Sequence, residues 1–108
     1  PEYALQLGLL QHRRDAEIKP HIHHSANRYI SEVQEVLHIE RGRIEAEFFT
    51  SSGEPVASCL LNEGDTILLV SGGHGFRVME EATILEIKQG PYEGRETDKE
   101  TLKVKDRD

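Results

Sequence analysis

From Val33 to Gln89 the chain is built of short apolar runs separated by turn residues, the pattern of an all-β protein. Val33 to Glu40 alternates: if Glu35 faces inward, so do Val33, Leu37 and Ile39, while Val36, His38 and Glu40 face out. Arg43 to Thr50 places Ile44, Ala46 and Phe48 on one face and Arg43, Glu45 and Glu47 on the other. Arg41-Gly42 between them reads as the tight turn of a hairpin. Ser51 to Pro55 reads as a second turn, Val56 to Leu61 as the next strand, and Asn62 to Asp65 as its end. Thr66 to Val70, His74 to Met79 and Ala82 to Gln89 complete the strand set, with Gly72-Gly73 as a tight turn and Glu80-Glu81 as a joint. Upstream, Tyr3 to Leu10 and Ala16 to His23 are strand candidates. Pro20 places the latter at an edge or a strand end. Many short strands in about a hundred residues predict a sandwich or small antiparallel β-barrel. Residues 1–91 form that domain, and 92–108 are a charged tail that is a short helix or disordered.

Charge and size narrow the function. The 108 residues carry a net charge of -7 and 31% charged side chains, with no basic patch, so no nucleic-acid partner is expected. No apolar run has membrane-spanning length, so no membrane partner is expected either. An acidic cytoplasmic protein fits. The single Cys59 excludes an intrachain disulfide and reads as a small core hydrophobe. The chain begins at Pro1, without Met, as a trimmed chain or a fragment does.

The chemistry lies in the histidines. His21 and His23 are two apart, so a strand presents both imidazoles on one face with Ile22 turned away. A carboxylate and a third imidazole from neighbouring strands complete a three-nitrogen, one-oxygen set suited to a first-row divalent metal. Glu35 is preferred to Glu32 as the carboxylate, because its face also carries Leu37 and Ile39. His74, if inward, shares its face with Phe76 and Val78. His24 reaches the site only if the strand ends at His23. His12 and His38 read as structural or interfacial.

These residues resemble the two sequence motifs of the cupin superfamily, over roughly Ile18 to Gln89. His21-Ile22-His23, then Glu35 with six residues before Gly42, stands for the first. Eleven residues separate His23 from Glu35, where three or four are usual, which implies an enlarged loop beside the site. Gly64-Asp65-Thr66-Ile67-Leu68-Leu69-Val70-Ser71-Gly72-Gly73-His74 stands for the second, with Val70 where Pro is usual and Val78 where Asn often follows. The resemblance implies a jelly-roll β-barrel, frequent homodimers, and one divalent transition metal (Fe, Mn, Ni or Zn) on His21, His23, Glu35 and His74. It also implies a metal-dependent enzyme of dioxygenase, lyase or isomerase type acting on a small oxygen-rich molecule. The alternatives are a metal-free nucleotide-sugar isomerase or epimerase, and a small-molecule binding or sensor module. No catalytic residue is singled out.

Overall fold

The computed structural model describes residues 5–27, 29 and 33–89. Its four strands are β1 (Glu35–Phe49), β2 (Pro55–Asn62), β3 (Thr66–Leu69) and β4 (Gly73–Lys88), and no helix occurs among the described residues. All three partners run antiparallel to β1. Along one edge of β1 lies β4, from Glu35↔Lys88 to Phe49↔Gly73. Along the other edge lie β3, opposite Glu35 to His38, and then β2, opposite Arg43 to Phe49. The turn between β2 and β3 fills the gap in that edge. Ile39 N donates to Asp65 O (2.9 Å) and Gly64 N donates to Ile39 O (2.7 Å). The Asp65 carboxylate caps the turn by accepting from Asn62 N at 2.7 Å, and Gly64 supplies the positive φ of +91°.

Arg41-Gly42 is not a hairpin turn. The strand passes through it, with register shifts between Ile39 and Ile44. Gly42 has φ +87°, and a Cβ there would meet the Glu81 carbonyl and lie 2.8 Å from Ala82 Cα. A glycine in this conformation serves a bulge as well as a turn, and a bulge bends a strand without reversing it. Glu80-Glu81 likewise does not divide two strands, because β4 follows β1 around the same bend.

Paired residues of antiparallel strands project to the same face. Leu37, Ile39, Ile44, Ala46 and Phe48 of β1 thus share the inner face with Ile67 of β3, Leu61 of β2 and Ile84, Val78 and Phe76 of β4. The core forms there, from Ile39, Ile44, Ala46 and Leu61 with Phe48, Ile67 and Ala82 packed around them. Ile39 and Ile44 are fully buried, which stabilises by about 1.5–3 kcal/mol each. The outer face has two characters. Over the Arg43 to Phe49 half it carries the ion pairs Arg77–Glu47 (3.1 Å) and Arg43–Glu80 (3.5 Å). Over the Glu35 to His38 half it carries Val36, Leu68, Leu85 and Ile87.

The protein is all-β, as the alternation predicts, but the sheet is open and no closed barrel or jelly roll is shown. The described residues of the two upstream strand candidates, 5–10 and 16–23, form no strand. Every residue from 6 to 27 is exposed, so no tertiary contact offsets the entropy of ordering them into a ladder. Cys59 is exposed rather than core, because β2 lies at an edge of the open sheet. β3 ends at Leu69, one residue short of the predicted end. The tail 92–108 lies outside the described residues.

Candidate functional site

The bend in β1 and β4 turns the inner face on itself. Glu35 starts β1 and His74 stands near the start of β4, opposite Phe48 at the other end of β1. Their side chains nevertheless meet: His74 Nε2 lies 2.9 Å from Glu35 Oε1. The carboxylate only accepts, so Nε2–H is the donor. Glu35 is mostly buried and His74 is about one third exposed (15% and 32%), so the pair opens to solvent through the imidazole. Phe76 flanks the ring, with centroids 5.5 Å apart.

Two further charged side chains stand beside Glu35. Lys88 is its cross-strand neighbour on β4, and Glu86, opposite Leu37, follows on the same face. The His74 hydrogen bond, above all, holds the Glu35 carboxyl below its ordinary value, against the opposing effect of burial. A hydrogen bond with Glu86 and the nearby charges of His74 and Lys88 act in the same direction. Sequence reasoning missed Glu86 and Lys88. Alternation in Leu85-Glu86-Ile87-Lys88 points the apolar pair inward, and only the register with β1 reverses it.

His21 and His23 lie in the exposed segment, with ring centroids 5.1 Å apart. His21 Nδ1 donates to the Lys19 carbonyl at 2.8 Å, which leaves its Nε2 lone pair available to a ligand. The four predicted donors are therefore present as two pairs, Glu35 with His74 and His21 with His23. Among the described residues no group of three or more His, Cys, Asp and Glu side chains is placed to hold a metal ion. Each pair has suitable chemistry, but the two as placed do not form one coordination sphere. Glu32 lies outside the described residues. His24 and His12 are exposed, and His38 bonds Thr66 Oγ1 through Nδ1 at 2.8 Å on the outer side of the sheet.

An open recess of about 560 Å³ lies close by in the chain, lined by Val33, Ser51, Val70, Ser71 and Gly72. Val33 and Gly72 are each two residues from a member of the Glu35–His74 pair. No described helix is long and apolar enough to cross a membrane. Comparison of the chain with protein-family models, curated proteins and solved structures finds no match.

Proposed function

We propose that this is a small metal-binding β-protein of cupin type, with one divalent ion (Fe, Mn, Ni or Zn) held by His21, His23, Glu35 and His74. The observation that carries the reading is the Glu35–His74 contact, which joins the two ends of the bent inner face. Supporting it are the pre-oriented His21 imidazole and the neighbouring recess. Such an ion polarises a carbonyl or activates water, which suits an enzyme of dioxygenase, lyase or isomerase type on a small oxygen-rich substrate. This chain's part is to keep Glu35 ionised through His74 and to leave the approach to the imidazole open. Jelly-roll closure belongs to the same reading, since the free sheet edges need strands that the described residues do not supply. A lone exposed thiol and the acidic charge support a cytoplasmic site of action.

The test is metal analysis of untagged protein purified without chelator, followed by Zn(II) titration. About one equivalent per chain is expected, with loss in His74→Ala and His23→Ala and retention in His12→Ala and His38→Ala. Full metal content in the double variant His21→Ala/His23→Ala sinks the assignment.

A second reading rests on the same contact. A carboxylate that orients an imidazole makes a general base without metal, as in a nucleotide-sugar isomerase or epimerase of cupin type. Proton exchange into a nucleotide sugar by metal-stripped protein favours it. Tight binding of a small molecule without turnover favours a sensor module.

A further inference from the structure

We infer that the Glu35–His74 contact closes a ring of β4 side chains into a site for a small phenol, a flat apolar body that carries an uncharged hydroxyl. The inference takes the contact as a ligand site, as above, but it does not need a metal.

The ring follows from the register. On its inner face β4 presents, in order, His74, Phe76, Val78, Ile84, Glu86 and Lys88. In a straight strand the first and last of these would stand more than about 40 Å apart. Because the strands bend at Gly42, His74 Nε2 instead lies 2.9 Å from Glu35 Oε1, and Glu35 is the cross-strand partner of Lys88.

One arc of the ring is apolar and accessible. Phe76, Val78 and Ile84 are 37%, 65% and 36% exposed, although their β1 partners Ala46, Ile44 and Ile39 are fully buried. The core is thus sealed without them, and a ligand that covers them removes apolar surface from water. Phe76 and Val78 together span about 7 Å, so the body they match is small. The Phe76 ring is tilted 48° to the His74 imidazole with centroids 5.5 Å apart. The two rings make a corner that suits a flat aromatic body.

The other arc selects the head. Glu35 accepts from His74 Nε2, so in the neutral imidazole Nδ1 presents a lone pair. His74 makes no further hydrogen bond among the described residues. A lone pair accepts from a hydroxyl but not from an ether or a carboxylate. The carboxylates of Glu35 and Glu86 repel an anionic head, and Lys88, which stands 4.0 Å from Glu86, repels an ammonium. An uncharged donor meets neither penalty.

An NMR titration of metal-free protein near pH 8 tests this with three ligands that share one body: p-cresol, its methyl ether and p-toluate. Dissociation constants are read from the Phe76 ring and Ile84 methyl signals. Saturable binding of p-cresol with a millimolar or lower Kd is expected. The ether should bind about threefold to tenfold more weakly, and p-toluate more weakly still. Val78→Lys should weaken p-cresol by about threefold or more, whereas Leu85→Lys on the outer face should not. His74→Leu should remove the preference for p-cresol over the ether. If that variant fails to fold, Val78→Lys and the three ligands still decide the outcome. No saturation of wild type by about 20 mM p-cresol overturns the site. Equal affinity for the ether, or tighter binding of p-toluate, overturns the hydroxyl head. Metal content, measured separately on protein purified without chelator, decides the metal reading whichever way the titration falls.

Discussion

At the scale of single residues the protein turns on Glu35. Its carboxyl is held below its ordinary value first by the hydrogen bond from His74, then by Glu86 and by the charges of His74 and Lys88, while burial works the other way. A carboxyl whose folded value is depressed contributes stability above its unfolded value, about 4.3, and loses it as pH falls through the lower folded value. Denaturant unfolding of wild type and Glu35→Gln should therefore differ most near neutral pH and converge at acid pH. A constant difference from pH 7 to pH 3 would show that the charge of Glu35 contributes nothing. The inward placement of Glu35 was legible in the sequence because its alternating face also carries Leu37 and Ile39, both buried, whereas Phe76 and Val78, which share the face of His74, are exposed. Glu86 and Lys88 were not legible. Their face is set by pairing with Leu37 and Glu35, some fifty positions away in the chain, and local alternation favours the opposite choice.

At the scale of elements, the bend is the decisive feature. Gly42 combines φ +87° with close approach to the Glu81 and Ala82 backbone, so a side chain is excluded both by conformation and by space. Gly42→Ala should cost about 2 kcal/mol or more and lower the melting temperature by several degrees. Gly64 also has a positive φ (+91°), but nothing lies near its missing Cβ. Gly64→Ala should cost less, about 1 kcal/mol. Equal losses at the two sites would show that the contact with β4 is not tight. Arg43, beside the bend, places its terminal nitrogen near Glu80, while its buried Nε has no hydrogen-bond partner among the described residues. The strands on either side of Gly42 were legible from alternation. Their union was not, because Arg-Gly has the same local chemistry in a hairpin and in a bulge. What separates the two is whether β4 runs beside both halves.

At the scale of the whole molecule, the outer face of the sheet changes character along its length. Cross-strand ion pairs cover the Arg43 to Phe49 half, while Val36, Leu68, Leu85 and Ile87 form an apolar area over the other. Leu85 is 47% and Ile87 52% exposed. Leu85→Lys/Ile87→Lys should leave the thermal midpoint within a few degrees of wild type and reduce binding of a hydrophobic dye such as ANS. A large loss of melting temperature would mean that these side chains are packed. That the protein is all-β was legible from alternation and turn spacing. Closure into a barrel was not, because it depends on contacts between edges that no local pattern encodes.

The central place of β1 also governs the order in which the fold is assembled. Its complete partner, β4, comes last among the described strands, and the pair joins Glu35 to Lys88 across more than fifty residues. During synthesis β2 and β3 can dock on one edge of β1, but the bend at Gly42 has no surface to close against until Glu81 and Ala82 exist. A nascent chain stopped before β4 thus holds its inner face open and its long strand half-paired. Such topologies are slow to close, on a scale of milliseconds to seconds, and a half-paired strand in that interval invites wrong partners.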